Sequence, residues 1–338
     1  QEYCMRALVL FVLWLCGVQG LKYVVYIPVF GRSHITFMGR LVDILVEEKH
    51  EVHVIMPVIE AHLGGYGSDK AHKVFTIPQA PSSLHFEQTA HRSMVHGMWR
   101  NSDKMTQLKG GLTFRDAWAG QCNATLHHPG LMEELRKENY DAGITEIMDF
   151  CSYGIFHHLG IERVAGTLTI GFSDLLFRLG GAPTFPSYVP NSLAQVGDRM
   201  TFMERVQNTL PYFFQPILGS FFLTPTDDIF RARFGNDFPN VEELMKNTSL
   251  VFLNNEPLID FPRPTSHKVI NIGGLSVSGG HKPLDEKWSS ILDRRPYNVF
   301  ISFGSVAKSH LMPVEYKETI RETVRKFPNV TFIWKYEK

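Results

Sequence analysis

The stretch that decides the fold is "VYIPVFGRSHITFMGRLVDIL", residues 25–45. An apolar, β-branched run ends in Gly31-Arg32-Ser33-His34, and a helical pattern begins at once, with Phe37, Met38, Leu41, Ile44 and Leu45 falling on one face. The run starts earlier, in "KYVVYIPV" (22–29), and a second strand-like segment, "EVHVIMPV" (51–58), follows the helix. Strand, helix and strand make a βαβ unit. Its parallel strands require a right-handed crossover, and the loop after the first strand opens at the edge where such sheets bind ligands. His34 stands in that loop.

Outward from this unit the alternation continues. "KVFTIP" (73–78) reads as a third strand, "GLMEELRKENY" (130–140) as a helix, "DAGITEI" (141–147) as a strand, "FCSYGIFHHLG" (150–160) as a helix and "RVAGTLTI" (163–170) as the next strand. Between them, residues 83–125 are polar and aromatic, rich in His, Met and Trp. They read either as helices and loops covering a cleft or as an irregular surface insertion. "GGAPTFPSYVPNS" (180–192) is too long for a simple turn, and loops of that size in compact domains are commonly functional. Residues 198–248 carry helical patterns, with Asp227 and Asp228 of "TPTDDIFRARFG" placed near a helix start and "NVEELMK" (240–246) a further short helix. "SLVFLNN" (249–255) and "KVINIGG" (268–274) add strands. The Gly-, Ser- and Pro-containing stretch 273–297 reads as a linker. After it, "NVFISFGSVAKSHLMP" (298–313), "VEYKETIRETVRKF" (314–327) and "NVTFIWKYE" (329–337) give a second βαβ unit. The expected division is a leader over 1–20, a first domain over 21–272, the linker 273–297 and the start of a second, incomplete domain over 298–338.

The composition is that of an ordinary globular chain: 338 residues, 44% hydrophobic, with 34 basic and 34 acidic side chains. A net charge of zero and no long Lys/Arg tract supply no field for nucleic-acid binding, so no nucleic-acid partner is expected. Met5 and Arg6 precede the apolar run "ALVLFVLWLCGV" and the small-residue ending "GVQG", the pattern of a secretory signal peptide. Secretory entry gives meaning to the sequons at Asn123, Asn247 and Asn329. Asn123 and Asn247 lie beside polar segments and are the glycosylation candidates, whereas Asn329 begins what reads as a buried strand and is expected to go unused. Cys4 and Cys16 fall in or before the leader, leaving Cys122 and Cys151 to pair or to remain buried thiols. No Cys/His spacing suits zinc, and no metal site is expected.

Several of these segments together resemble the UDP-glycosyltransferases, and among them the animal membrane-bound UDP-glucuronosyltransferases of nematode type. The segments are "GRSHITFMGRLVDIL", "YDAGITEIMDFC", "GAPTFPSYVPNSLAQVGDRMTFMERVQN", "LVFLNNEPLIDFPRP", "NIGGL" and "NVFISFGSVAKS". The resemblance implies an α/β, GT-B-like fold of two Rossmann-type domains, the first holding the acceptor and the second the UDP-sugar. It also implies residence in the endoplasmic reticulum, with membrane association through a C-terminal segment that this sequence lacks. A homo- or hetero-oligomer stays open.

In the resemblance His34 falls on the catalytic base, and the chemistry of the residue agrees. Sugar transfer to a hydroxyl requires removal of the acceptor proton, and an imidazole suits that work near neutral pH. Ser33 is a candidate cap for the helix that follows. Glu146, at the end of "DAGITE", matches the acidic partner that orients and stabilises the imidazolium. Many relatives carry Asp there, so Glu moves the oxygens by about 1.5 Å. Asp149 is the alternative acid, or a cap for the next helix. Gly304 and Ser305 of "FGS" match the first contact with the donor diphosphate. The expected reaction is inverting transfer of glucuronic acid or glucose from a UDP-sugar co-substrate to small lipophilic acceptors, with no tightly bound cofactor. The 338 residues alone are expected to be inactive. The alternatives are a non-catalytic isoform that binds acceptor or regulates full-length partners, and a carrier of hydrophobic small molecules.

Overall fold

The computed structural model describes residues 20–64, 67–100, 103–169, 184–191, 194, 196–275, 277 and 283–337. The signal-like segment lies outside these residues except for Gly20, and only 184–191 of the Gly/Pro loop fall within them. In chain order the strands are β1 (Lys22–Tyr26), β2 (Glu51–Pro57), β3 (Lys73–Ile77), β4 (Ala142–Glu146), β5 (Val164–Leu168), β6 (Leu250–Leu253), β7 (Val269–Asn271), β8 (Tyr297–Ile301) and β9 (Val330–Trp334). The α-helices are α1 (Arg32–Glu47), α2 (Pro81–Phe86), α3 (Arg92–Gly97), α4 (Lys104–Leu126), α5 (Leu131–Lys137), α6 (Cys151–His158), α7 (Phe202–Phe234), α8 (Val241–Lys246), α9 (Glu286–Leu292) and α10 (Val314–Arg325).

The chain divides into two compact units, 1–78 with 122–276, and 79–121 with 277–338. Residues 79–121, which a division at 273–297 leaves in the first domain, thus group with the second unit.

The first unit is built on a seven-stranded parallel sheet in the order β3-β2-β1-β4-β5-β6-β7. Its inner strands are apolar on both faces because both faces are covered. Along β1 the side chains alternate: Val24 and Tyr26 enter one core with Ile55, Leu126, Phe156 and Phe230, while Val25 and the following Ile27 enter the other. That second core receives Phe37, Met38 and Leu41 of the stripe read from the sequence, together with Ile35 and Val42, which that stripe did not include. Ile44 and Leu45 are only half-buried.

Cys122 of α4 and Cys151 of α6 form a disulfide within the core, which settles the open choice between a bond and two thiols. Closing a loop over a separation of 29 residues restricts the unfolded chain by about 3–4 kcal/mol in the chain-entropy account.

Residues 202–234 form one continuous helix, α7, started by a capping box between Thr201 and Glu204. Pro211, Pro216 and Pro225 lie inside it. Asp227 and Asp228 therefore sit near its end, contrary to the sequence expectation of a helix start. Asp227 instead serves the next helix, its Oδ1 accepting the Val241 N–H of α8 at 2.7 Å. Fully buried Asn208 of α7 also pins the Gly/Pro loop: its amide donates to the Pro186 and Val189 carbonyls, and its Oδ1 accepts the Asn191 N–H.

In the second unit, β8 and β9 pair in parallel with α10 between them in the chain. The described residues of the linker stretch include regular structure that its composition does not imply. It contains α9, whose N-terminus is capped by Asp285 accepting the Trp288 N–H at 2.8 Å, and its last residue begins β8. The 83–125 region is mostly helical, and Trp99 from it meets Phe303 edge-on at 4.9 Å. No helix among the described residues is long and apolar enough to cross a membrane.

Candidate functional site

The sheet order sets the location. The chain runs outward from β1 through β2 to β3, then returns to place β4 on the other side of β1. The loops leaving the carboxyl ends of β1 and β4 therefore diverge, which opens the crevice where doubly wound sheets bind ligands. His34 follows β1 and Glu146 ends β4. The two meet: His34 Nδ1 lies 2.7 Å from Glu146 Oε1.

Local backbone explains why the imidazole reaches this point. Gly31 precedes α1 with φ of 59°, in the left-handed region. A Cβ at Gly31 would come within 2.9 Å of His34 Cδ2, so glycine leaves the space that the ring fills. The Gly31 carbonyl accepts the His34 and Ile35 N–H groups at 3.1 and 3.3 Å. Ser33, a candidate cap from the sequence, is the second residue of α1, and Gly31 occupies the cap position without a side chain. The reason is that α1 begins at Arg32, two residues earlier than a cap at Ser33 implies. The Gly31 N–H is taken by the buried carboxylate of Glu60, at 3.0 Å from Oε2. Phe30 lies beside the imidazole at 5.6 Å.

The side chains of His34 and Glu146 are 10% and 3% exposed. A carboxylate at Nδ1 fixes the tautomer with the proton on that nitrogen, leaving Nε2 as the proton acceptor. The arrangement can therefore deprotonate a hydroxyl and stabilise the cation that results.

Asp149 has a different place. Its Oδ1 accepts the Ser152 N–H at 3.0 Å at the start of α6, and its own N–H donates to the Glu146 carbonyl at 2.9 Å. Burial pushes its carboxyl up to about 7, opposed by the Ser152 and Cys151 N–H groups and assisted by the Glu146 charge. This is the helix-capping role weighed for it in the sequence, but in a buried position. Tyr26 is nearby in the same field: burial raises its hydroxyl pKa and the Asp149 charge adds to that, while a hydrogen bond with Thr125 opposes both. Glu60, Tyr26 and Thr125 were not singled out from the sequence. An acid directly after the apolar run 54–59 was the available signal for Glu60.

Gly304 and Ser305 lie in the second unit, exposed in the loop after β8, with Gly304 at φ of 80°. Lys335 Nζ donates to the Gly304 carbonyl at 2.9 Å. Asn123 is exposed on α4 and Asn247 is exposed at the C-terminal cap of α8. Asn329 is also exposed, one residue before β9.

At the opposite, N-terminal edge of the first sheet, Glu51, His53 and Glu138 bring ligand-type atoms within 4.8 Å of one another. Lysines already supply the cations there. Lys22 Nζ lies 2.9 Å from Glu51 and is paired with Glu138, while Lys73 Nζ lies 2.6 Å from Glu134 and 3.3 Å from Glu138. The cluster is an ion-pair network.

Comparison with known proteins adds three findings. The family model described as "UDP-glucoronosyl and UDP-glucosyl transferase" matches residues 23–338. Among curated proteins, "Putative UDP-glucuronosyltransferase ugt-47" of Caenorhabditis elegans is 25% identical over 320 residues, covering 94% of this chain and 59% of that protein. Its namesake in Caenorhabditis briggsae is 26% identical, covering 96% of this chain and 61% of its own length. The chain thus spans about 60% of the length of these relatives. Among solved structures, the kitacinnamycin glycotransferase superposes with a TM-score of 0.54 at 12% identity, covering 94% of this chain and 66% of the other. The glycosyltransferase SnogD from Streptomyces nogalater gives 0.51 at 12% identity, covering 94% and 67%. The fold is α/β and GT-B-like, as the sequence resemblance implies.

Proposed function

Because the chain belongs to the family of UDP-glucuronosyl and UDP-glucosyl transferases, we propose that it forms the acceptor-side part of an inverting UDP-glycosyltransferase. The observation that carries this reading is the buried His34–Glu146 pair at the switch point of the sheet. His34 Nε2 takes the proton of an acceptor hydroxyl as the acceptor oxygen bonds to C1 of the sugar. The bond from C1 to the UDP oxygen breaks with its electron pair, so UDP leaves as the anion. Attack opposite the leaving group inverts an α-linked donor to a β-linked product through an oxocarbenium-like transition state. Glu146 holds the imidazole and stabilises the imidazolium. The Gly304–Ser305 turn offers N–H groups and a hydroxyl to the donor diphosphate.

The donor sugar is glucuronate or glucose, a choice supported by the family description and by the names of the nematode relatives. The acceptor is a small lipophilic alcohol or phenol. The protein works in the endoplasmic reticulum lumen, carries glycans at Asn123 and Asn247, and is held at the membrane by a segment outside these residues. Assayed alone, the 338 residues are expected to show no transfer.

The test is transfer by the natural full-length protein, supplied with UDP-glucuronate or UDP-glucose and a panel of phenols and alcohols. Product is read by mass spectrometry and its anomeric configuration by proton NMR. A β-linked glycoside supports the reading. An α-linked product, or no UDP-sugar turnover with any of the panel, contradicts it.

A further inference from the structure

The turn that carries His34 is held by a residue outside the proton-transfer pair. Beyond β2 the chain runs alongside the end of β1: the Val29 N–H donates to the Pro57 carbonyl at 2.8 Å, and the Val29 carbonyl accepts the Ile59 and Glu60 N–H groups at 3.3 and 2.9 Å. This backbone clasp places the Glu60 side chain, 1% exposed, against the Gly31 N–H. Helix α1 has no cap from its own N-terminal side chains and no acid in its first turn. A buried carboxylate is costly unless it gains hydrogen bonds and positive potential. The N-terminus of a 16-residue helix supplies both.

Resting on the reading of His34 as the base, we infer that Glu60 is a positioning residue for it. The Glu60 carboxylate caps α1 from the segment beyond β2 and fixes the left-handed Gly31 peptide. That peptide in turn determines where the imidazole lies, because its carbonyl binds the His34 N–H and its missing Cβ makes room for the ring. Without the carboxylate, Gly31, the least restricted of residues, is free to rotate. The ring then leaves the geometry in which Nδ1 meets Glu146. Misplacement of a reacting group by about 1 Å costs on the order of 100-fold in rate.

The experiment is a double-mutant cycle in the natural full-length enzyme, with kcat and KM for the UDP-sugar and acceptor measured separately. Glu60→Ala lowers kcat by about 10- to 100-fold with KM for the UDP-sugar within about two-fold. Glu60→Gln keeps an acceptor oxygen for the Gly31 N–H and restores kcat to within about three-fold of the parent. In the His34→Ala background, Glu60→Ala has no further effect, because the group it positions is gone. Wild-type kcat in Glu60→Ala, or full additivity of the two losses, overturns the inference while leaving the base assignment standing. Near-normal turnover in His34→Ala overturns both. Where Glu60→Ala yields no folded protein, Glu60→Asp decides the matter: withdrawing the carboxylate by about 1.5 Å lowers kcat several-fold, and an unchanged kcat refutes the positioning role.

Discussion

Glu146→Gln isolates the charge at the centre of the site. The substitution keeps the shape of the side chain and removes one negative charge placed 2.7 Å from His34 Nδ1. Before proton transfer the imidazole is neutral and its bond to the carboxylate is an ordinary charge-assisted one. After transfer it is a cation, and the carboxylate then faces a full opposite charge. Two unit charges about 4 Å apart interact by about 4 kcal/mol at the effective dielectric of protein sites. Since this term arises mostly as the proton moves, it belongs to kcat and converts to about 100- to 1,000-fold. The amide can also present its NH2 group to Nδ1 and stabilise the wrong tautomer, which adds to the loss. Steady-state UDP release at saturating substrates gives kcat, and titration of each substrate gives KM. The predicted outcome is a fall of at least about 100-fold in kcat with KM for the UDP-sugar nearly unchanged. A kcat within about three-fold of the parent would show that Glu146 does not stabilise charge on His34, and the proposed mechanism would lose its second residue.

Other consequences concern stability. Asp149 has a carboxyl pKa raised from 3.8 to about 7. Its protonated form is therefore favoured by folding: the contribution is fully present below about pH 4 and is lost as pH rises to about 7. Asp149→Asn keeps an acceptor for the Ser152 N–H and removes this dependence. Urea unfolding should show the variant gaining on the parent by up to about 4 kcal/mol between pH 4 and pH 8, and a constant difference across that range would refute the burial account. Replacing Cys122 by Ser should lower stability by about 3–4 kcal/mol under oxidising conditions. The parent treated with reductant should move toward the same value, whereas insensitivity to both would mean that the Cys122–Cys151 bond does not constrain the unfolded chain.

Most of the frame was legible because it rests on periodicity. The strand at 22–26, the α1 stripe of Phe37, Met38 and Leu41, and the strand at 142–146 follow from apolar patterns that a doubly covered parallel sheet imposes. The pairing of His34 with Glu146 was legible only with the family resemblance. Their separation of 112 residues is bridged by strand order, which local pattern does not encode. Three features were hidden for physical reasons. The cap of α1 comes from Glu60 across 29 residues, so a search for a local Ser or Asp pointed to Ser33. Asp227 looks like the start of its own helix because it caps another one. The bond between Cys122 and Cys151 depends on α4 meeting the start of α6, a tertiary fact that two cysteines in a sequence leave open.

Removal of the acceptor proton by the imidazole at the β1–α1 turn is tested by His34→Ala in the natural full-length enzyme. UDP-sugar affinity should be retained, by calorimetry with UDP, while turnover falls by about 100- to 10,000-fold, the range for loss of a general base. Turnover near that of the parent, with UDP binding intact, would remove His34 from the chemistry and contradict the account.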